Sequence, residues 1–343
     1  MEDLLVHDFK IRSHSGSYYV TFTDDIVFTT LGTHYIIDEK VYATMGLDLP
    51  NVVLITATEE TKSYRGVEPI ITELLKLNLK RDSKLVAIGG GITQDIACFI
   101  ATTFMRGIEW VFVPTTLLAQ ADSCIGSKSS INFNNYKNLL GSFNPPDHVY
   151  ISTDFLNTLD NRDFRSGLGE IIKLFLVANT PVQPGEITRS NVKEYIRRAL
   201  IIKKRFIESD EFDKDIRQIL NYGHCIGHGI ESATHFAIPH GIAITMGMDV
   251  VNRFAFLEGL ISKEWYQTMH STLFENYKHF SGEYIHVPKV CEALTKDKKN
   301  TGSKINLVLP VNNTIVKRGF ESTDAFWLQI HSAFAQTPIM TRS

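Results

Sequence analysis

The sequence predicts two domains of different class: an α/β domain with a mainly parallel sheet over residues 1–150, then a helical domain over residues 151–343. The chain has 343 residues, more than a single hydrophobic core usually covers. Its first part alternates short β-rich segments with amphipathic ones, as βαβ units do. In its second part the apolar residues mostly recur with the 3.6-residue period of a helix. The Pro145-Pro146 pair marks the boundary, and we expect a ligand cleft between the two parts.

The first domain is predicted to alternate strands and helices. The strands are residues 33–38, 51–58, 84–91 and 109–114, and the helices are residues 67–80 and 93–107, the second ending at Gly107. The segment 18–28 would form an antiparallel hairpin at the sheet edge. Because ligands of parallel sheets bind at the carboxyl ends of the strands, we expect binding residues in the loops that follow them.

The second domain is predicted to be helical. Helices are expected over residues 162–178, 192–209 and 240–260. Strand signal is weak until residues 304–310. No repeat or low-complexity tract interrupts the pattern.

Composition excludes several functional classes. The net charge is -3, with 43% apolar and 21% charged residues, so no basic field for nucleic acid is expected. No run of about 18 uncharged apolar residues is present to span a membrane, and the N-terminus is unlike a secretory signal. The four cysteines form no CxxC pair and are expected as buried thiols of a cytoplasmic protein.

A glycine turn, Gly89 to Asp95, follows the predicted strand 84–91 and precedes a helix. Glycine lets the backbone approach a diphosphate, and a helix N-terminus stabilises its charge. The turn is not GxGxxG, so a plain tight turn is the alternative.

Four histidines lie within residues 224–240. His224 and His228, at i and i+4, project from one helix face, and His240 can fold back over them after a predicted turn. Catalytic zinc takes three protein ligands and keeps one position open, and Glu170 is a candidate ligand. Flanking glycines would allow a ligand to approach closely. Capped or core histidines are the alternative, and His235 is predicted to be a surface or turn residue.

Residues 120–138 are predicted to form a polar loop after the strand that ends at Pro114. It carries Asp122, Lys128, Lys137 and Asn138. Lysine and asparagine donors near a strand's carboxyl end suit a phosphorylated, hydroxylated substrate, although solvated loop lysines are the plainer interpretation. A charge run at 295–300, which contains Lys298, would usually be a solvated face.

Taken together, several motifs resemble the 3-dehydroquinate synthase family of sugar phosphate cyclases over residues 36–310. They are GGGITQD, VPTTLLAQADSCIGSKSSIN, KNLLGSFNPP, RSGLGEIIK, LNYGHCIGHGIE, a later His-Gly and DKKN. The resemblance implies a Rossmann-like NAD-binding domain followed by an all-helical domain that binds a divalent metal, normally Zn²⁺ or Co²⁺. It implies Glu170, His224 and His240 as metal ligands, with His228 facing the substrate phosphate.

The resemblance also implies the remaining site residues. NAD contacts would be Asp38, Glu59, Lys62, Gly90, Gly91, Asp95, Thr115, Thr116, Lys137, Phe155 and Thr158. Substrate contacts would be Asp122, Lys128, Asn138, Lys173, Lys203, Arg217, Asn221 and Lys298. Arg106 matches a residue that reaches the partner's active site, which implies a homodimer.

The implied reaction is an elimination of phosphate, which makes the enzyme a carbon–oxygen lyase, followed by an intramolecular aldol cyclisation. It has no net redox change. It converts 3-deoxy-D-arabino-heptulosonate 7-phosphate to 3-dehydroquinate in the shikimate pathway to aromatic amino acids. Lys203, Arg217 and Asn221 favour this carboxylated substrate, and their spacing lets one helix face present Arg217, Asn221 and His224.

Four departures from the family pattern, at Lys40, Gln94, Asp213 and Ile242, leave three alternatives open. The first is a cyclase of a heptulose 7-phosphate or glucose 6-phosphate that makes a cyclitol precursor. The second is a relative that has lost turnover and serves as an interaction protein. The third is a metal-dependent polyol dehydrogenase, which would accumulate NADH.

Overall fold

The computed structural model describes residues 8–24, 26, 34–46, 48–134, 136–180, 182–280, 284–296, 300 and 304–342. The chain divides into two compact units. The first comprises residues 1–160 and 203–212, and the second comprises residues 161–202 and 213–343. The expected order, α/β and then helical, is confirmed, whereas a domain boundary at residue 150 stays a prediction.

The first unit is built on a seven-stranded sheet. Its strands are β1 (Asp8–Ser13), β2 (Gly16–Phe22), β3 (His34–Asp38), β4 (Val52–Ile55), β5 (Lys84–Gly89), β6 (Glu109–Pro114) and β9 (His148–Ile151). Their order is β1-β2-β9-β6-β5-β3-β4. Only the β1–β2 pair is antiparallel; the other five pairings are parallel. The carboxyl ends of β3, β4, β5 and β6 therefore lie at one edge, as a mainly parallel sheet requires.

Three helices of this unit follow strands of the sheet: α1 (Glu39–Met45), α2 (Tyr64–Lys76) and α3 (Gly91–Thr103). The expected end of the helix at Gly107 is wrong. A 3₁₀ turn, Phe104–Arg106, follows α3, with positive φ angles of 47° at Met105 and 69° at Arg106. Such angles cannot continue a right-handed helix.

Two further expectations for the first unit are corrected. The edge hairpin pairs β2 with the upstream strand β1, rather than lying within residues 18–28. Residues 120–138 are not a loop: a π-helical turn, Ala119–Ser123, leads into a hairpin of β7 (Lys128–Phe133) and β8 (Tyr136–Phe143). Strand β7 shows little apolar–polar alternation in its sequence, because polar Ser129 and Asn132 are buried and Phe133 is exposed.

The second unit is mainly helical, as predicted. Its helices are α4 (Asn161–Val177), α5 (Val192–Ser209, whose residues 203–209 belong to the first unit), α6 (His224–Ala233), α7 (His240–Leu257), α8 (Lys263–Tyr277), α9 (Val287–Thr295) and α10 (Asp324–Gln336). Nearly every residue of α7 is buried, so this helix forms the centre of the unit.

Two small sheets complete the second unit. The predicted strand at 304–310 is β11 (Lys304–Val311), which pairs with β12 (Thr314–Glu321) in an antiparallel hairpin. The short strands β10 (Ile285–His286) and β13 (Thr341–Arg342) pair in parallel. In the described part of the chain, every helix is too short or too polar to cross a bilayer.

Candidate active site

A cluster of imidazoles and one carboxylate lies within the helical unit. Ring nitrogens of His224, His228 and His240 all lie within 4.8 Å of one another. Glu170 Oε1 is 3.4 Å from His240 Nε2 and 3.8 Å from His224 Nε2. The structure therefore brings together the three predicted metal ligands, Glu170, His224 and His240, and places His228 beside them, from helices α4, α6 and α7. His235, in contrast, lies exposed in a turn with a φ of 50°.

Close packing of helices on α7 brings these side chains together. A Cβ at Gly169 would overlap the carbonyl oxygen of Gly241, so α4 can pass the start of α7 only because both positions are glycine. Gly223, with a φ of 74°, precedes His224, and a Cβ there would lie 2.6 Å from the backbone nitrogen of Met248. Gly223, Gly227 and Gly241 thus serve helix packing, which corrects the expectation that they admit a ligand.

Charge in this cluster centres on Glu170, which is fully buried. Burial alone would raise the pKa of its carboxyl group, but the ammonium of Lys173 and the imidazole of His240 hold it well below its usual range. Burial alone would lower the pKa of His240, yet hydrogen bonds to Glu170 and Glu231 raise it to about 10. A buried carboxylate that attracts cations and lies beside imidazole nitrogens is a suitable donor set for Zn²⁺ or Co²⁺.

Glu231 is a site residue that the sequence interpretation missed. Its Oε2 lies 3.1 Å from His240 Nδ1, on the side of the ring away from Glu170. A carboxylate in this position selects the tautomer that leaves Nε2 for a metal. Its spacing was an available signal, because Glu231 lies seven residues after His224 and so on the same helix face.

Arg217 and Asn221 lie in a 3₁₀ helix, Ile216–Asn221, that ends before α6 begins. The expectation that they share one helix face with His224 is therefore wrong, because the left-handed Gly223 separates the two segments. Arg217 is buried. Asn221 Nδ2 donates to the carbonyl oxygen of Gln218 at 3.0 Å.

In the first unit, the predicted glycine turn lies at the carboxyl edge of the sheet. Gly90 is the N-cap of α3, and no described side chain caps that helix N-terminus. Its backbone N–H groups therefore suit a diphosphate. Gln94, one of the departures, donates to the carbonyl oxygen of Ser123 at 2.8 Å and accepts from Ser123 Oγ at 2.7 Å. It ties α3 to the turn after β6.

A network of charged side chains lies beside this turn and joins five of the predicted site residues. Lys62 Nζ lies 3.2 Å from Asp95 Oδ2 and donates to Asn138 Oδ1 at 3.0 Å. Glu59 lies 3.3 Å from the Lys137 ammonium. Burial raises the pKa of Asp95 although Lys62 opposes this. In Glu59, burial is outweighed by a hydrogen bond from Asn132 and by both lysines, and the pKa is lowered.

Asn132 is a second residue that sequence interpretation missed. It is buried, donates to Glu59 Oε2 at 2.8 Å and accepts from the backbone of Asn138 at 3.0 Å. It therefore links the acidic end of the network to a residue predicted to contact substrate.

Another predicted pair is also in contact: Lys203 Nζ lies 2.6 Å from Asp122 Oδ1 and donates to the Asp122 carbonyl oxygen at 2.7 Å. Lys128 is exposed at the start of β7, and Arg106 is exposed in the 3₁₀ turn after α3.

The other predicted NAD residues follow the strands. Asp38 ends β3 and caps α1, where it accepts from the backbone of Lys40 at 3.0 Å. Thr115 and Thr116 follow β6, and Thr158 ends a 3₁₀ turn. Phe155 belongs to the hydrophobic cluster of the sheet.

Of the other positions noted from sequence, Ile242 is fully buried in α7 and Asp213 has a left-handed φ of 57°. Lys298 lies outside the described residues.

A parallel-sheet α/β unit with an uncapped glycine turn, followed by a helical unit with a His–Glu cluster, is an architecture suited to dinucleotide- and metal-dependent enzymes. The chain belongs to the 3-dehydroquinate synthase family, a family of cyclases. The sequence model of the 3-dehydroquinate synthase N-terminal domain matches residues 52–166, and that of the C-terminal domain matches residues 167–300.

Similar proteins named 3-dehydroquinate synthase include the following two. The protein of Thermoanaerobacter sp. (strain X514) is 36% identical over 267 residues, 75% of each chain. The protein of Streptococcus equi subsp. equi (strain 4047) is 31% identical over 334 residues, 90% of this chain and 92% of the relative.

Two solved structures have the same fold. A 2-deoxy-scyllo-inosose synthase complexed with carbaglucose-6-phosphate, NAD⁺ and Co²⁺ is 21% identical, with a TM-score of 0.81 over 94% of this chain and 99% of that one. A 2-epi-5-epi-valiolone synthase from Streptomyces hygroscopicus with NAD⁺ and Zn²⁺ is 22% identical, with a TM-score of 0.78 over 93% and 96%.

Proposed function

We propose that this chain is an NAD- and metal-dependent cyclase that converts 3-deoxy-D-arabino-heptulosonate 7-phosphate to 3-dehydroquinate with release of phosphate. The observation that carries the proposal is the buried Glu170 beside the imidazoles of His224 and His240. Membership of a family whose named relatives are 3-dehydroquinate synthases supports the choice of reaction.

The cofactors would be held by the two units separately. Glu170, His224 and His240 would bind the metal, which we propose to be Zn²⁺, with Glu231 orienting His240. The N-terminus of α3, with Gly90, Gly91 and the other NAD residues predicted above, would bind the dinucleotide. When bound, NAD supplies a reversible hydride acceptor and the metal supplies a Lewis acid for an alcohol oxygen.

The chain's own residues would bind and orient the substrate. Lys128, Asn138 and His228 carry donors suited to a phosphate. The departing phosphate can take the proton that is lost from the carbon next to the oxidised alcohol carbon of the substrate. This elimination classifies the enzyme as a carbon–oxygen lyase. Because the hydride taken from the substrate is returned before ring opening and aldol closure, no NADH accumulates.

The carboxylate of the substrate is assigned to Arg217. Lys203 already pairs with Asp122, so its charge is partly neutralised and it fits a positioning role. Arg217 is buried, permanently charged and able to form a bidentate contact with a carboxylate.

The experiment that tests the proposal is a substrate panel in the presence of NAD and Zn²⁺, with phosphate release as the readout. We expect release from the heptulosonate without accumulation of NADH. Release from sedoheptulose 7-phosphate or glucose 6-phosphate instead would identify a cyclitol-forming enzyme, and net NADH would identify a polyol dehydrogenase. Arg217→Ala should lower kcat/KM for the heptulosonate roughly 30- to 1,000-fold, whereas Arg318→Ala, at an exposed arginine of β12, should not.

We further propose a homodimer in which Arg106 serves the partner's active site. Its exposed position in a strained turn is compatible with contact to another subunit. Arg106→Ala and His240→Ala should each be inactive alone. Mixed dimers should regain activity, because one site then holds both an intact His240 and the partner's Arg106. No regain after subunit exchange would contradict the proposal.

A further inference from the structure

The carboxylate of Glu211 joins two separate segments of the first unit. Glu211 lies in residues 203–212, which follow the bulk of α5 and belong to this unit. Its Oε1 accepts from Ser13 Oγ and from Ser127 Oγ, both at 2.5 Å, and its Oε2 accepts from the backbone N–H of His14 at 2.7 Å. Ser13 and His14 lie at the β1–β2 turn, and Ser127 immediately precedes β7.

Ser127 has a backbone conformation that needs support. Its φ is 64°, in the left-handed region that residues other than glycine seldom adopt. Its carbonyl oxygen accepts from the backbone of Asn144 at 2.8 Å, and its hydroxyl is held by Glu211. The residue is thus fixed at both its backbone and its side chain, and the next residue is Lys128.

The segment 122–128 is also held at its other end by residues 203–212. Lys203 binds both the side chain and the carbonyl oxygen of Asp122, while Glu211 binds Ser127. Two oppositely charged side chains, eight residues apart, therefore hold the two ends of a short segment that carries two of the proposed substrate residues.

The carboxyl group is suited to this role. Burial alone would raise the pKa of Glu211, but hydrogen bonds from Ser127, Ser13 and His14 hold it below its ordinary value of 4.5. At neutral pH Glu211 is therefore ionised and can only accept hydrogen bonds. Hydrogen bonds to a charged acceptor are about twice as strong as those to a neutral one.

We propose that Glu211 is a positioning residue that sets the backbone at Ser127 and thereby the direction of Lys128. The inference rests on the proposed function, in which Lys128 binds the substrate phosphate. Glu211 itself touches no reacting atom. Loss of its carboxylate releases the Lys128 end of the segment while Asp122 remains held by Lys203.

The test compares Glu211→Ala with Glu208→Ala. Glu208 is a matched control because it lies on the same segment but accepts from the backbone of Arg12 at 2.8 Å and from Lys204 Nζ at 2.9 Å, rather than from Ser127. Hydrogen exchange of residues 122–128 should be faster in Glu211→Ala and unchanged in Glu208→Ala. This measurement does not require activity, so it stands even if the proposed reaction fails.

Kinetics supply the second readout. Glu211→Ala should lower kcat/KM for the phosphorylated substrate roughly tenfold to a hundredfold, mainly through KM, while NAD affinity and metal content stay unchanged. Ser127→Ala should produce part of the same effect, and the double variant should be no worse than Glu211→Ala. Glu211→Asp, which keeps the charge, should restore part of the activity.

Two outcomes would overturn the inference. One is equal exchange in residues 122–128 for both alanine variants. The other is faster exchange in Glu211→Ala with an unchanged KM, because the segment would then be loosened without any consequence for the substrate.

Discussion

Replacement of Lys173 by methionine tests the electrostatics of the helical unit most directly. Lys173 and Glu170 form an ion pair within α4 whose side chains are only 3% and 1% exposed. Methionine keeps most of the side-chain volume and removes the charge. Glu170 would then remain as a buried carboxylate with the imidazoles as its only described cationic neighbours.

The expected loss is large because one partner of a buried pair remains. Breaking such a pair costs about 3–5 kcal/mol. The matched control is Lys76→Met in α2, which breaks a pair with Glu73 of the same i,i+3 spacing. That lysine side chain is 66% exposed, so its loss should cost at most about 1 kcal/mol.

The assay is urea unfolding of the protein with and without Zn²⁺. In metal-free protein, Lys173→Met should lower the free energy of unfolding by several times the loss in Lys76→Met. With Zn²⁺ bound, the penalty should shrink because the cation offsets the charge of Glu170. The reasoning would be refuted if both variants lost the same free energy of unfolding in metal-free protein. It would also be refuted if the loss in Lys173→Met were the same with and without Zn²⁺.

Three further predictions concern the same unit. His240→Ala should remove most bound metal measured by elemental analysis, because it deletes one of three proposed ligands, whereas His235→Ala should retain it; full metal content in the first variant would exclude His240 as a ligand. Glu231→Gln should weaken Zn²⁺ binding about 10- to 100-fold in a competition titration with a chelator, and unchanged affinity would show that it does not orient His240. Gly223→Ala should lower the free energy of unfolding by about 2–5 kcal/mol, because alanine would be strained in the left-handed conformation and would overlap Met248. A melting temperature equal to that of the parent protein would contradict this.

Much of the fold was predictable because its determinants are local. Strand β6 and helix α5 begin and end where the sequence pattern predicts, since hydrophobic period and flanking polar residues act over a few neighbours. The main errors fall where local pattern is weak. The hairpin of β7 and β8 carries many polar residues, and the end of α3 depends on two left-handed residues, Met105 and Arg106, that have no glycine signature.

Some residues of the candidate site could likewise be predicted from the sequence and others could not. The grouping of His224 and His228 follows from one helical turn, and His240 and Glu170 were identified by their motifs. Glu231 was missed although its spacing from His224 places both on one helix face, and Glu211 was missed because a lone glutamate has no spacing rule that names its partner. Their roles depend on which helix or turn lies opposite.

The sequence by itself determined the order of the elements, the glycine turn and the residue types that can bind a metal and a phosphate. Tertiary structure decided how these side chains meet. Glycine at 169 and 241 lets α4 approach α7, and this approach brings the Glu170 carboxylate next to the imidazoles. Such contacts join residues that are distant in the chain, so packing and charge compensation, rather than local propensity, select them.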